Sequence, residues 1–456
     1  MSPPFLLVSG QVRSVHSGVG TYARLLLEGL SARGLRPSVA TWTEELDPQG
    51  LGDLHWIDLG PRPGLDPTQD SFWTLGRRLT RRFGSLGPDF GLVHFLDARQ
   101  AHAFERPAGA RGLRLVGTVH DDYAARCPRW PWELWGRAAD PLRRWLYYRW
   151  LARLERRTYA GLDRLLVNSR ATGRCLAEVY GTDPGRMLPA ELCVGPARVR
   201  AEARRLDGEP ALLFAGGNWY RKGLDLVVQA LPLVAARRPG VVLHVAGEDR
   251  AAGKLRALAE RLGVADRIQW LGRLRPERMA LAFAGADAFV MPSRTEALGL
   301  VYLEAFRARL PVIASTEGEV VELVQDRRSG LLVPTEDVRA LARAILELDG
   351  DEALRRRCVE GGLEVHACRS PARMLAATLE AYGAPWSGPA SPDQTASDVS
   401  KSPAGSRSAA GTSSTEGGSA AAGVDVGDGS PQSSPETAAS PPTSRAPIAR
   451  GEKRSS

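Results

Sequence analysis

The sequence predicts an α/β protein: two Rossmann-like domains facing a central cleft, with a disordered C-terminal tail. Three observations carry this expectation. Short apolar, β-rich runs alternate with helical patterns twice along the chain. The chain has 456 residues, too many for one core when a domain usually takes ~100–200. The composition changes abruptly near Trp386.

In the first half the strand-like runs are Phe5–Ser9, Ser38–Trp42, Leu92–Leu96, Leu113–Val119 and Arg164–Asn168. A helical pattern over Thr21–Arg33 places Leu25, Leu26 and Leu30 on one side. In the second half the runs are Ala211–Ala215, Val241–Ala246, Ile268–Leu271, Ala288–Met291, Val312–Ala314 and Leu331–Val333. Helices over Leu224–Ala236, Lys254–Leu262 and Val338–Leu348 alternate with them. Uninterrupted apolar strands separated by amphipathic helices mean parallel sheets covered on both faces. The Arg-rich stretch Pro196–Gly208 lacks strand pattern and reads as a linker. The expected domains are therefore 1–195 and 209–370, joined by 196–208. From Trp386 to Ser456 the chain is Ser, Pro, Gly, Ala and Thr with almost no large apolar residue. Such a segment cannot offset its ordering entropy, so residues 386–456 read as disordered.

Composition excludes several classes. No apolar run approaches the roughly 20 residues of a membrane helix, and the N-terminal "SPPFLLVSG" reads as a first strand rather than a signal peptide. The five cysteines are scattered without a C-x-x-C, which argues for a reducing cytoplasm and against a disulfide framework or a structural metal. The net charge is +8, and nearly all the positive charge is arginine. With abundant Ala and Gly, this suggests a GC-rich bacterial source. The tail's seven acidic and six basic residues nearly cancel, so the basic character belongs to the folded body. Nucleic-acid binding has only that bulk charge behind it, and no nucleic-acid partner is expected.

In open α/β sheets ligands sit at the carboxyl ends of strands, so the loops after strands carry the candidate chemistry. The sharpest motif is "PSRTEALGLVYLEA", Pro292–Ala305, with Glu296 and Glu304 eight residues apart and Gly299 where a helix can begin. Eight helical residues span about 12 Å, close to a sugar, a diphosphate and a ribose laid end to end. One carboxylate would meet the hexose and the other the ribose, with the helix N-terminus facing the diphosphate. The spacing alone is also that of two carboxylates on an ordinary helix. The second motif, "FAGGNWYRKGLD", ends a strand in glycines and opens a helix at Arg221-Lys222-Gly223. Adjacent cations there neutralise a diphosphate, or form a solvated basic turn. The third, "SGVGTY", lets backbone at Gly18 and Gly20 approach a phosphate or sugar. With Ala23 it nearly matches a dinucleotide fingerprint, although it stands eight residues beyond its strand. The fourth, "VGTVHDDY", sets His120 and Asp121 past a strand, in position to touch a sugar hydroxyl.

In this order the motifs resemble glycosyltransferase family 4, enzymes of the GT-B fold. The similarity runs from about Phe5 to Tyr382 and is most specific in "RKG", "LGRL", "ADAFVMPSRTEALGLVYLEA", "LPVIAS", "GEVVELV" and "SGLLVP". "GGNWYRKG" is similar to enzymes that build lipopolysaccharide core. The resemblance implies a retaining hexosyltransferase that needs no metal and no cofactor. Its co-substrate would be a UDP- or GDP-linked sugar, and its acceptor a glycan or lipid-linked molecule of the cell-surface polysaccharide or lipopolysaccharide type. Arg221 and Lys222 would bind the diphosphate and Glu304 the ribose, with Glu296 beside the transferred sugar. The Leu298–Gly299 backbone would lie near the diphosphate, His120 would contact the hexose, Gly18 and Gly20 would flank the phosphates, and Leu274 would lie by the base. Residues 1–195 would be the acceptor-side domain and 209–370 the nucleotide-sugar-binding domain. Residues 371–385 would form a helix crossing back to the first. The four side chains Arg221, Lys222, Glu296 and Glu304 would grip the donor from opposite walls of one groove.

The chain departs from the family pattern at Gly318-Glu319, where a glycine pair is usual, and at Leu310, where a glycine is usual. Many members also carry an arginine where this chain has Gly216, leaving Arg221 to supply that charge. Glu319 in a phosphate-side loop would weaken or reshape donor binding. Two rival readings follow. One is a non-catalytic GT-B homologue acting as a partner or regulator, supported by Glu319 and Leu310. The other is a dinucleotide-dependent oxidoreductase, supported by "SGVGTYA" and Glu44. Residues 126–157 hold nine arginines against three acids, with Trp130, Trp132, Trp135, Trp145 and Trp150. That mixture suits the inner face of an anionic cytoplasmic membrane as well as it suits a helix packed on its own domain.

Overall fold

The computed structural model describes residues 4–383 apart from 14–16, 47–50, 52–53, 64–69, 87–89, 109, 111, 123, 128–140, 197–203 and 250–251. Most of the linker 196–208, the tryptophans 130, 132 and 135, and the tail 386–456 lie outside the described residues.

The chain forms two parallel α/β sheets. The first holds β1 (Phe5–Val8), β2 (Ser38–Thr41), β3 (His55–Asp58), β4 (Leu92–Phe95), β5 (Arg114–Val119), β6 (Arg164–Val167) and β7 (Met187–Pro189), in the order β3-β2-β1-β4-β5-β6-β7. Its helices are α1 (Gly18–Ala32), α2 (Asp70–Phe83), α3 (Pro141–Ala160) and α4 (Arg170–Cys175). The second holds β8 (Ala211–Ala215), β9 (Val242–Ala246), β10 (Ile268–Gly272), β11 (Ala288–Met291), β12 (Val312–Ser315) and β13 (Leu331–Val333), in the order β10-β9-β8-β11-β12-β13. Its helices are α5 (Leu224–Ala235), α6 (Ala252–Arg261), α7 (Pro276–Gly285), α8 (Leu300–Arg307), α9 (Val338–Gly350) and α10 (Glu352–Ala367). The central strands are buried on both faces, as their unbroken apolar runs require. In each sheet the order reverses once, between β1 and β4 and between β8 and β11. Loops leaving neighbouring strands there diverge and leave a crevice.

Two strands carry little sequence signal. In β3 only Ile57 is buried, and β7 is a three-residue edge strand with no buried side chain. Helix α1 starts at Gly18, three residues before the apolar pattern begins. Ser17 caps it, its Oγ accepting the Gly20 N–H at 2.9 Å, so the glycines form the first helical turn and not a preceding loop.

Helix α11 (Pro371–Tyr382) packs on α1 and on β5, β6 and β7 of the first sheet. The Tyr382 hydroxyl bonds His94 Nδ1 at 2.8 Å, and Arg114 donates to the Tyr382 carbonyl at 2.5 Å. Burial lowers the His94 pKa to about 3, with His120 adding to the effect, so this core imidazole is neutral.

Candidate active site

The carboxyl ends of β1, β5 and β6 and those of β8, β9, β10 and β11 open onto one cavity of about 780 Å³. Gly18, His120, Arg221, Lys222, Leu274, Glu296, Leu298, Gly299 and Glu304 all line it.

The basic loop after β8 is shaped by glycines. Gly223 has φ +75°, and a Cβ there would stand 2.1 Å from the Pro292 carbonyl oxygen. Gly216 has φ +135°, and a Cβ there would stand 2.7 Å from Lys222 Cδ. The missing side chain at 216 thus makes the room that the lysine stem fills. Lys222 Nζ reaches Glu296 Oε2 at 2.8 Å, and Arg221 lies 3.6 Å from Glu296 Oε1. Burial works to raise the Glu296 pKa, yet Lys222 and Arg221 hold it below the ordinary carboxylate value. The pair of cations therefore faces an ionised carboxylate. All three groups stand on the same wall, because β8 and β11 are adjacent strands and their exit loops abut. That corrects the expectation of opposite walls.

Arg294 locks these loops together and was not singled out from the sequence. Its guanidinium bonds Asp225 through two contacts of 2.7 Å and Glu336 at 2.5 Å, and lies 4.0 Å from the Tyr220 ring. The Arg294 backbone N–H donates to the Arg221 carbonyl at 2.7 Å. The only signal was a charge inside "PSRTE"; its partners are distant in sequence.

Gly299 has φ +78° and no side chain caps α8, so the first amides of that helix face the cavity as anion donors. Only Leu300–Arg307 is helical, so the 12 Å helical span does not apply to the whole Glu296–Glu304 interval. The Glu304 carboxylate lines the cavity and makes no hydrogen bond or ion pair among the described residues. Burial raises its pKa, with Arg307 opposing. Gly18 stands opposite: a Cβ there would lie 3.7 Å from Leu300 Cδ1.

His120 Nε2 donates to the Leu96 carbonyl at 2.6 Å, which sets the tautomer, since a carbonyl only accepts. Burial lowers its pKa and the ring is neutral; Nδ1 is buried without a partner. Gly20, two residues further along α1, is buried and off the cavity wall, and its N–H is taken by Ser17. Asn168, at the end of β6, also lines the cavity, and its Nδ2 donates to the His120 carbonyl at 2.7 Å. Leu310 is a core residue, and Glu319 turns away from the cavity towards Thr172. Neither touches the cavity wall, where Glu319 had been expected to reshape donor binding.

Two family models match. "Glycosyltransferase Family 4" covers residues 16–188, and "Glycosyl transferases group 1" covers 197–365. The chain is 32% identical over 245 residues to a D-inositol 3-phosphate glycosyltransferase of Nocardia farcinica, covering 50% of this chain and 54% of that protein. It is 37% identical over 186 residues to a GDP-mannose-dependent alpha-(1-6)-phosphatidylinositol monomannoside mannosyltransferase of Mycobacterium tuberculosis, covering 38% and 47%. The matches thus span about half the length of these curated relatives. In fold it matches a sucrose-phosphate synthase structure from Thermosynechococcus elongatus, with TM-score 0.66, 22% identity, and coverage of 84% of this chain and 98% of that one. With the two sheets, the shared cavity and the Glu296–Glu304 motif in place, the chain belongs to the family-4 glycosyltransferases, on the GT-B fold.

Proposed function

We propose that this chain is a retaining glycosyltransferase that moves a hexose from a UDP- or GDP-linked sugar to a hydroxyl of a glycan or lipid-linked acceptor. The observation that carries the reading is the single cavity in which Lys222, Arg221 and Glu296, the uncapped N-terminus of α8, and Glu304 face Gly18, Asn168 and His120. Residues 209–370 would hold the donor and 1–195 the acceptor. Arg221, Lys222 and the α8 amides stabilise charge growing on the leaving diphosphate, an electrostatic contribution that often dominates catalysis. Glu296 and neutral His120 orient the sugar, a contribution through positioning. Glu304 receives the ribose hydroxyls, and Leu274 flanks the base. Glu319 and Leu310 stand off the cavity wall, so they give little support to a non-catalytic homologue. An oxidoreductase reading leaves the second-half motifs without a use.

The test is mass spectrometry after incubation with a panel of nucleotide sugars, with binding of UDP and GDP measured alongside. The expected result is release of one nucleoside diphosphate and transfer or hydrolysis of its sugar. Absence of binding and turnover across the panel would sink the reading.

The acceptor is proposed to sit at an anionic membrane. Among the described residues no helix is long and apolar enough to cross one. On α3, however, Leu142, Leu146 and Trp150 are 54%, 55% and 47% exposed at four-residue intervals. Arg143, Arg149, Arg153, Arg156 and Arg157 are exposed around them. Apolar side chains flanked by cations suit the headgroup boundary. The phosphatidylinositol mannoside in the M. tuberculosis relative's name and the likeness of "GGNWYRKG" to lipopolysaccharide-core enzymes support an acceptor of this kind. The proposed location is cytoplasmic, peripheral on the inner face of the membrane. In flotation with vesicles containing anionic lipid, the chain is expected to bind at low salt and to release at high salt. Leu146→Glu with Trp150→Glu should abolish the binding. No flotation at low salt ends the idea.

A further inference from the structure

The cavity's two walls are joined behind the site by a run of hydrogen bonds that ends on a buried carboxyl. Gly318 follows β12 with φ +84°, and a Cβ there would stand 2.3 Å from the Glu296 carbonyl oxygen. The chain therefore presses onto Glu296, and the Glu319 N–H donates to that carbonyl at 3.2 Å. The Glu319 side chain is 1% exposed and crosses to the first half, where Oε1 meets Thr172 Oγ1 at 2.5 Å. Thr172 Oγ1 lies 2.9 Å from Asn168 Oδ1 and receives the Ser169 hydroxyl at 3.0 Å. Asn168 Nδ2 donates to the His120 carbonyl. Three residues on, the Glu322 carboxylate accepts the amides of Arg170 and Ala171 at 3.2 and 2.7 Å, at the start of α4.

The proton count favours one state of Glu319. A hydroxyl has one proton to donate and two lone pairs to accept with. If Glu319 is ionised, one Thr172 proton serves both Asn168 Oδ1 and Glu319 Oε1; giving it to Asn168 leaves the carboxylate to Ser169, whose hydroxyl must then give up Thr172, and to Arg126 at 3.6 Å. If Glu319 is the acid, its O–H donates to Thr172, Thr172 donates to Asn168, and every link closes. The other oxygen, Oε2, is buried with no partner, which costs far less for a neutral carboxyl than for a charge. The groups facing Glu319 are Ser169, the N-cap of α4, with Thr172 and Cys175 on that helix, and Asp122 and Arg126 on the loop after β5. Arg126 bonds Asp122 through Nε at 2.6 Å and brings a second nitrogen to 3.6 Å from Glu319 Oε1, a long contact from a guanidinium that is 40% exposed.

We propose that Glu319 is a positioning residue that, in its neutral form, ties the donor-side wall at Glu296 to Asn168 and His120 on the facing wall. Its role in catalysis rests on the glycosyltransferase reading; the seam it closes does not. Burial, opposed by Ser169, Thr172 and Arg126 and aided by Asp122, pushes its pKa from the ordinary 4.5 up to about 7. With the seam apart, the carboxyl meets water and titrates near its ordinary value. Closing then takes up a proton between those two values. The seam is tight below about 4.5, weakens as pH rises towards 7, and is weak and constant above.

Hydrogen–deuterium exchange of the full chain, corrected for intrinsic rates, reads the seam directly at the Arg170 and Ala171 amides. In the wild type their protection should fall well over tenfold between pH 5 and 7.5. Glu319→Gln keeps the shape, stays neutral and still donates to Thr172, so its protection should stay high and flat. Thr172→Val, which removes the link without touching the carboxyl, should lower protection at every pH. A flat wild-type profile, or a Gln variant that falls with the wild type, overturns the proposal. UDP and GDP binding over the same range supplies the positioning readout: the Glu304 titration is common to both proteins, so the affinity of Glu319→Gln relative to the wild type should rise with pH. A ratio that stays constant from pH 5 to 7.5 removes the positioning role. Failure to bind either nucleotide at any pH counts against the glycosyltransferase reading and leaves the exchange result to decide the seam.

Discussion

Replacing Lys222 by alanine is expected to lower turnover roughly a hundred- to a thousandfold while the fold survives, the loss typical of one fixed donor to a developing charge. The ammonium stands 2.8 Å from Glu296 and the side chain is 13% exposed, so it meets the leaving diphosphate with little water to screen it. Alanine also deletes the stem that packs on Gly216, which mixes a packing loss with a charge loss. Lys222→Met separates them, because the thioether chain refills the space beside Gly216 and carries no charge. Both variants should show turnover reduced far more than the donor KM is raised, since the interaction strengthens as the bond to the diphosphate breaks. In both, Glu296 keeps Arg221 at 3.6 Å, so the buried carboxylate is not left alone and thermal unfolding should shift little. Recovery of turnover in Lys222→Met would assign the residue to packing and remove it from the chemistry.

The second sheet was readable nearly residue by residue, and the reason is burial. Ala211–Ala215 and Ala288–Met291 are flanked on both faces, so every side chain is apolar and the run itself marks the strand. His55–Asp58 has one buried residue and a charged end, so it carried no such mark. The first turn of α1 was hidden for a different reason: glycine costs about 1 kcal/mol inside a helix, so Gly18 and Gly20 read as loop until the Ser17 cap is seen. The motifs of the site were visible one at a time. Their pairing was not, because Lys222 and Glu296 are 74 residues apart and meet only through the order β8-β11. Glu319 stood out as a glutamate in a glycine's place, but its partner Thr172 is 147 residues away on the other half of the chain. A departure from a motif says that something local has changed; which surface the new side chain meets is a property of the packed molecule.

Glu304→Ala should weaken UDP or GDP binding about ten- to a hundredfold and stabilise the protein at the same time. The Glu304 carboxyl is half-buried on the cavity wall without a hydrogen-bond donor among the described residues, and burial raises its pKa. A carboxylate in that setting lacks what a vicinal diol supplies, two O–H groups directed at two oxygens. Hydrogen bonds to a charged group contribute about 1.5–3 kcal/mol, hence the loss expected in affinity. The ribose is remote from the bond that breaks, so the effect should fall on KM and on nucleotide affinity more than on turnover. Removing the unpartnered carboxyl relieves a desolvation cost of about 1 kcal/mol, which should raise the unfolding midpoint by roughly 2 °C. The pH dependence has a definite sign. As pH falls through the raised pKa the carboxylate takes a proton and becomes a poorer acceptor, so wild-type nucleotide affinity should drop on the acid side, and the alanine variant should lose that drop. The nucleotide lacking the 2′-hydroxyl should bind the wild type less tightly than its parent, and the variant about equally. Unchanged affinity with a lowered midpoint would make Glu304 a structural residue and move the ribose to another part of the cavity.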